Sequence, residues 1–558
     1  VYKTITLDTR QYKRFKMFVH AEEMIDGENI PDNRLYAFVR FGSDFTENYY
    51  EYRIPLKITP AGAIDQYSVW PQANNFDFEF EMLTNLKLER DKKRNAGQVR
   101  YNERYTKMHG NNTMAVIGSP SFGDISSMMI GIVNEDDVTH NAEIWVNEMR
   151  MSGYDEEGGW AAIANLGIVF SDLGSLTVGG QIETVGFGNI EDNITDRNQE
   201  DFYEYNITAA VQLGKLFPEK AKVNLPFTYT RTHQRTSPKY DPMNTDTELS
   251  KTLDNFDHEK EKDSIKAMSQ TDKVYQSYTL NNVRVGITSK KPMPYDPANF
   301  SFSLGYNESV ENNPEVEYEK IKNYKGTFNY VYSINPKPVE PFKKVKLFKS
   351  NNWKLIRDFN FYYVPKNIAF STSMTRYYEE IQSRNYNSPI VKDTTFQYMS
   401  FDKNWQWDRT ADIKWDLTRS LKLRFTSATN SEINEIIRSS DDERLVNIPI
   451  NKEYLRDINY FDWYEQWKDT VWRSIKEFGE PVSYEQKFTA SYAIPINKLP
   501  HLDWITSNAQ YNANYQWDKG TILSLGESPI TGNMMENVRN WTGDVRLNFE
   551  NFYNKFPY

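Results

Sequence analysis

Tyr205-Asn206-Ile207-Thr208-Ala209-Ala210-Val211-Gln212-Leu213 alternates in polarity. Successive side chains of a strand point to opposite faces. One face therefore carries Tyr205, Ile207, Ala209, Val211 and Leu213, and the other Asn206, Thr208, Ala210 and Gln212. A soluble sandwich hides its apolar face and decorates the other with Lys and Glu. Here the second face is small and uncharged, which suits a barrel strand with lipid outside and water inside.

The pattern returns in Val223-Asn224-Leu225-Pro226-Phe227-Thr228-Tyr229, in Phe300-Ser301-Phe302-Ser303-Leu304-Gly305-Tyr306 and in Phe328-Asn329-Tyr330-Val331-Tyr332-Ser333-Ile334. It recurs over 368–374, 413–417, 421–425, 488–496, 509–517 and 545–549. Candidate lipid-facing residues are Tyr205, Ile207, Val211, Leu213, Phe300, Phe302, Leu304, Phe328, Tyr330 and Tyr332. Candidate lumen-facing residues are Asn206, Thr208, Gln212, Ser301, Ser303 and Asn329. Segments of about 9–11 residues span a bilayer at barrel tilt, and about a dozen such strands fit after Gly158.

The expected fold is all-β, an antiparallel transmembrane β-barrel with an appended β-sandwich-like soluble domain. Residues 1–154 form that domain and 155–558 supply barrel strands with long loops. In the first region, Leu35-Tyr36-Ala37-Phe38-Val39-Arg40-Phe41 and Phe76-Asp77-Phe78-Glu79-Phe80 alternate between turn clusters, the grammar of a sandwich. A helical turn or two is expected at 82–88. Further on, connection 290–297 is short, whereas 246–273 and 430–481 are long, charged and partly helical in pattern, the latter over 461–476. Short turns at one end and long loops at the other are expected of such a barrel.

Of the 558 residues, 66 are basic and 77 acidic, a net charge of -11. No basic footprint for nucleic acid exists. Mean hydropathy is -0.73, and without a run of 18 apolar residues a helical membrane span is excluded. The absence of cysteine removes disulfides, thiolate metal sites and cysteine nucleophiles. The chain starts at Val1 without a leader-like stretch, which reads as an internal or processed start.

Several motifs resemble catalytic ones and fail. His258-Glu259-Lys260-Glu261-Lys262 has Lys262 where a zincin needs its second His. Gly118-Ser119-Pro120-Ser121-Phe122-Gly123 misses the nucleophile-elbow spacing and reads as a turn. Gly186-Phe187-Gly188 lacks the third glycine of a dinucleotide loop and reads as close packing or a bend in a barrel strand. Glu135-Asp136-Asp137 and Asp155-Glu156-Glu157 are weak calcium candidates against a solvated reading. Phe461-Asp462-Trp463-Tyr464-Glu465-Gln466-Trp467 reads as the core of a folded loop ahead of a docking patch. Neither catalysis nor a cofactor is expected.

Ala142-Glu143-Ile144-Trp145-Val146-Asn147-Glu148-Met149-Arg150-Met151, continuing through Ser152-Gly153-Tyr154-Asp155-Glu156-Glu157-Gly158-Gly159-Trp160, closely resembles a segment of the SprA/Sov family. Tyr49-Tyr50-Glu51-Tyr52-Arg53-Ile54-Pro55-Leu56, Val69-Trp70-Pro71, Leu86-Lys87-Leu88-Glu89-Arg90, Lys291-Pro292-Met293-Pro294-Tyr295-Asp296-Pro297 and Asn551-Phe552-Tyr553-Asn554-Lys555 are similar to that family too. These are fold signatures, and none is catalytic. The family comprises giant outer-membrane translocons of the type IX secretion system in Bacteroidetes, linked to gliding motility. The resemblance implies that these strands are part of a very large barrel and that the complete protein is several times longer. It also implies passage of folded, secreted cargo proteins through a wide aqueous pore in outer-membrane lipid. The partners it implies are a PorV-like barrel protein and a periplasmic plug protein. The alternatives are a smaller-solute outer-membrane transporter and a secreted β-rich binding or adhesion protein.

Overall fold

Alternating apolar residues near the N-terminus build strands β1 (Tyr2–Leu7), β2 (Tyr12–Glu23), β3 (Leu35–Gly42), β4 (Tyr49–Pro55), β5 (Phe76–Glu79), β6 (Tyr105–His109), β7 (Asn112–Ile117), β8 (Ile125–Asn134) and β9 (Ala142–Tyr154). The structure is a computed structural model, and it describes all residues except 25–28, 101, 193–195, 255, 257, 385–399, 436–459, 521–531 and 556–558. These nine strands form two antiparallel sheets, ordered β1-β8-β3-β4-β7-β6 and β5-β2-β9. Phe15, Phe76 and Phe78 from the smaller sheet meet Phe41, Tyr50 and Tyr52 from the larger one in a single core. Phe78 stacks on Tyr52 with ring centroids 4.1 Å apart. Burying each such ring contributes roughly 1.5–3 kcal/mol.

The helix here is longer than the turn or two expected. It runs Phe80–Asn95 and begins where Phe80 would have continued β5. Phe80, Leu83, Leu86, Lys87 and Arg90 are all buried and fall at the spacing of one helical stripe. Two of the five are cations, which hid the stripe from a reading based on hydrophobicity.

The β3–β4 turn is closed by Asp44. Its Oδ1 accepts from the N–H groups of Thr46, Glu47 and Asn48 at 2.8, 2.5 and 3.0 Å, and its Oδ2 from the Asn48 amide at 2.8 Å. Burial pushes the carboxyl up, but these donors outweigh it and hold the pKa down at about 2. A depressed carboxyl stabilises the fold above its unfolded value, and that contribution is lost as pH falls through the folded value. Asp44→Asn should therefore make the strand Tyr49–Pro55 less protected at neutral pH and less sensitive to acid between about pH 4 and about pH 2. Hydrogen exchange of both forms across that range checks this, and parallel acid responses would refute it.

Beyond the sandwich follow β10 (Ala161–Phe170), β11 (Gly174–Glu183), β12 (Glu200–Gln212), β13 (Val223–Asn224), β14 (Pro226–Pro238), β15 (Tyr240–Asp241), β16 (Asn244–Glu248), β17 (Thr271–Val285), β18 (Phe300–Asn312) and β19 (Val316–Ser333). The series ends with β20 (Asn367–Ser383), β21 (Ser400–Asp416), β22 (Leu421–Glu432), β23 (Glu480–Ile494), β24 (Ile505–Asp518) and β25 (Met534–Leu547). Except for the hairpin β15–β16, these strands make one 14-stranded sheet. Its main ladder is β10-β11-β12-β14-β17-β18-β19-β20-β21-β22-β23-β24-β25, with β13 pairing off that path to β17. Every pairing is antiparallel, from β10–β11 to β24–β25. Among the described residues β10 and β25 each pair on one side only, so the sheet is open. The chain is mostly β, and among the described residues no helix is long and apolar enough to cross a membrane.

The sequence pattern located the strands better than their ends. β12 stops at Gln212, and Leu213 opens a 3-10 turn, so Leu213 does not share the strand's face. Val223–Asn224 and Pro226–Pro238 are separate strands broken at Leu225, because Pro226 has no N–H to continue the first ladder. Ile496 lies in a 3-10 turn, and Phe549 opens a short helix. The connections also mix lengths. One end of the sheet has 171–173, 213–225, 286–299, 334–366, 417–420 and 495–504. The other has 184–199, 239–270, 313–315, 384–399, 433–479 and 519–533. The long 334–366 thus sits among short turns and the tight 313–315 among long loops. In the long connections, 246–273 contributes helices Leu249–Asp254 and Glu259–Ser269, with His258 as the N-cap of the second. The expected loop 430–481 contains helix Tyr460–Lys476, and its stretch 436–459 lies outside the described residues, as do the side chains of Phe461, Asp462 and Trp463.

Candidate functional site

Cross-strand partners share a face, so register alone sorts the large sheet. Starting from Val211, the partners on successive strands are Phe227, Leu280, Leu304, Gly326 and Met374. Starting from Ala209 they are Tyr229, Tyr278, Tyr306 and Tyr324. These four tyrosines form a ladder, with centroids 5.0, 6.1 and 4.9 Å apart. Tyr205, Ile207, Val211, Phe300, Phe302, Leu304, Phe328, Tyr330 and Tyr332 all lie on this one apolar face. Phe302 and Leu304 are half exposed, at 49% and 56%. Tyr332 is instead buried, because connection 286–299 folds over it. Its hydroxyl donates to the Pro292 carbonyl at 3.3 Å, and that of Tyr330 to Pro294 at 3.0 Å.

Asn206, Thr208, Gln212, Ser301, Ser303 and Asn329 fall on the opposite face. There Thr208 lies beside Thr230, Ser277 donates to Asn307 at 2.7 Å, and Ser371 donates to Asn329 at 2.6 Å. From β21 onward this face is less uniform than the first strands suggested. It carries Asp412, Arg424, Glu485 and Lys487, and Arg424 pairs with Asp412 at 2.8 Å.

The apolar band drifts across the register rows. On β12 it runs from Tyr203 to Val211, whereas on β18 it is centred near Phe302 and on β22 near Leu423, both displaced toward the end with connection 417–420. On β14 and β19 the apolar face ends in charge. His233 pairs with Asp272 at 3.0 Å and Lys320 with Glu308 at 2.8 Å.

At the end of the sheet bearing 239–270, the sandwich is docked by the hairpin β15–β16. Asp246 of this hairpin is buried among sandwich residues. It accepts from the Tyr50 hydroxyl at 2.7 Å, Lys87 Nζ at 3.1 Å and the Phe122 N–H at 3.3 Å. Arg10 donates to the Thr245 carbonyl at 2.9 Å, and Lys251 pairs with Glu81 at 2.8 Å. Burial pushes the Tyr50 phenol well up, and Asp246 adds to it. Asp155, one of the expected acidic-cluster residues, is held by Lys239. Burial raises its carboxyl, but Lys239 more than offsets this and its pKa is lowered. In the other acidic cluster, Glu135 pairs with Arg53 and Asp136 with His140. Among the described residues no group of three His, Cys, Asp or Glu could hold a metal ion.

The segment joining the two bodies is threaded tightly. Gly186 lies in connection 184–199 rather than in a strand, with φ +83°. A Cβ there would come 2.3 Å from the Glu157 carbonyl, and one on Gly159 would meet the Phe187 nitrogen at 2.2 Å. Backbone passes backbone at a distance that no side chain permits. No sequence signal pointed to Asp246, since an acid in a charged loop reads the same whether solvated or inserted.

Comparison with curated proteins finds no match. Residues 1–253 match the SprA_N family model, described as a motility related/secretion protein. The match starts in the sandwich, crosses the first strands of the large sheet, includes the hairpin that carries Asp246 and stops in helix Leu249–Asp254. The sandwich, the first strands of the large sheet and the hairpin that joins them therefore fall within one family unit, and over residues 1–253 the chain matches the SprA/Sov family of motility-related and secretion proteins.

Proposed function

We propose that the 14-stranded sheet is one arc in the wall of an outer-membrane channel that exports folded cargo proteins in type IX secretion. The observation that carries this reading is a continuous two-faced sheet whose outermost strands, β10 and β25, are both unpaired on their far sides among the described residues. An apolar face of Tyr, Phe and Leu suits lipid, and a face rich in Ser, Thr and Asn suits a wet lumen past which folded proteins slide without sticking. Unpaired N–H and C=O groups cannot face hydrocarbon. In a bilayer both edges must therefore be joined by further strands or covered by a partner. A PorV-like barrel protein at one edge and a periplasmic plug across the lumen are the partners that fit this reading.

A smaller-solute transporter would need β10 to pair with β25, and a secreted adhesin would need a partner for the broad apolar face. Single-particle imaging of the native complex in mild detergent tests the proposal. The expected image has these strands as an arc of a larger wall. A small barrel closed by β10 on β25, or a chain soluble without detergent, would overturn it.

A further inference from the structure

Connection 334–366, between β19 and β20, is the basic exception in an acidic chain. It holds eight Lys and Arg against two acidic residues, while the whole chain carries -11. Both acids are occupied within this end of the sheet. Glu340 pairs with Lys343 at 2.7 Å and Arg419 at 2.8 Å, and Asp358 pairs with Arg357 at 3.3 Å and Lys498 at 3.7 Å. Lys344, Lys346 and Lys354 are exposed, and among the described residues no carboxylate lies within ion-pairing distance of them. Large apolar side chains are interleaved with these lysines and exposed too, with Leu347 at 75% and Trp353 at 47%.

The segment is anchored to the apolar side of the sheet. The indole N–H of Trp415, on that face, donates to the Tyr362 carbonyl at 3.0 Å, and the Asn360 side chain accepts from the Arg419 N–H at 2.8 Å. Between the segment and the sheet lies a cleft of about 450 Å³. Phe342, Leu355 and Phe359 line one wall, and Leu421 and Tyr492, both on the apolar face, line the other.

We propose that segment 334–366 binds anionic phospholipid of the surrounding bilayer, with Lys344, Lys346 and Lys354 on the headgroup phosphate and an acyl chain in the cleft. This rests on the reading of the sheet as a membrane wall. Rings and lysines interleaved at the end of an apolar face are what the bilayer boundary selects, and anionic headgroups attract such clusters. An acidic protein would satisfy the lysines but would leave unexplained why the cleft is continuous with the apolar face.

The test returns the full chain, in its complex, to nanodiscs of phosphatidylcholine with or without phosphatidylglycerol, then re-extracts it and identifies retained lipid by native mass spectrometry. Phosphatidylglycerol should be enriched, and the enrichment should fall as salt rises. Each lysine near an anionic surface contributes about fivefold, so Lys344→Gln, Lys346→Gln and Lys354→Gln together should weaken retention on the order of a hundredfold. Lys260→Gln and Lys262→Gln, in the helix at the other end of the sheet, should leave it unchanged. Insertion with equal retention of both lipids, at any salt, overturns the proposal. So does unchanged lipid retention combined with loss of a co-purified acidic protein from the triple variant. Failure to enter either nanodisc overturns the membrane reading itself.

Discussion

Asp246→Ala should release the sandwich from the end of the large sheet, at a cost of about 3–5 kcal/mol. The side chains of Lys87 and Asp246 are 3% and 0% exposed, so removing the carboxylate leaves the Tyr50 hydroxyl without its acceptor and a buried ammonium with only the Pro120 carbonyl and no counter-charge. The penalty comes from that stranded charge, more than from the lost attraction. It follows that Asp246→Leu combined with Lys87→Met and Tyr50→Phe should recover part of the loss, because an apolar trio leaves no buried charge, while the Phe122 N–H and the Pro120 carbonyl lose their side-chain partners. Limited proteolysis within 239–270, together with hydrogen exchange across residues 1–154, reads the effect. If Asp246→Ala is cleaved no faster than the parent, the hairpin is not what holds the sandwich.

Ile207→Arg should block assembly of the sheet into a membrane, while Thr208→Arg, one residue away, should be tolerated. Ile207 sits mid-way along β12, with Val178 and Arg231 as its partners. Arg231 opposite marks where the apolar face of the next strand gives way to charge, so a second guanidinium there adds like-charge repulsion to a lipid-facing cost of up to about 2–4 kcal/mol. Thr208 faces Thr177 and Thr230 on the hydroxyl side, where a guanidinium meets water. Heat-modifiable mobility and protease resistance in isolated membranes distinguish the two. Equal damage from both substitutions would mean that the faces are not lipid and lumen.

Much of this architecture was legible because its grammar is local. Tyr205, Ile207 and Val211 report the same period that Phe300, Phe302 and Leu304 report, and period two survives without knowledge of any neighbour. What failed to show was decided at a distance. Leu213 looks like the next residue of its strand, yet the turn to β13 claims it. Tyr332 has the right parity, but a loop from 40 residues earlier covers it. The stripe of helix Phe80–Asn95 includes Lys87 and Arg90, whose burial makes sense only once Asp246 and the Gly118 carbonyl are in place. The basic connection 334–366 was not singled out from the sequence, and its seat on the apolar side depends on Trp415 and Leu421, which come later in the chain.

An apolar band that slips along successive strands can lie level in a bilayer only if the strands lean. With a rise of about 3.3 Å per residue and about 4.8 Å between strands, a slip of one residue per strand is a lean of about 35°, at the lower end of the range of closed barrels. A leaning strand takes about 6 Å of circumference, so the main ladder subtends on the order of 80 Å. Bent into a ring by itself, that perimeter would enclose an opening about 25 Å across, backbone to backbone, before side chains narrow it. A folded domain is wider than that. On the proposed reading, the bore of the passage would therefore be set by whatever continues the wall beyond β10 and β25.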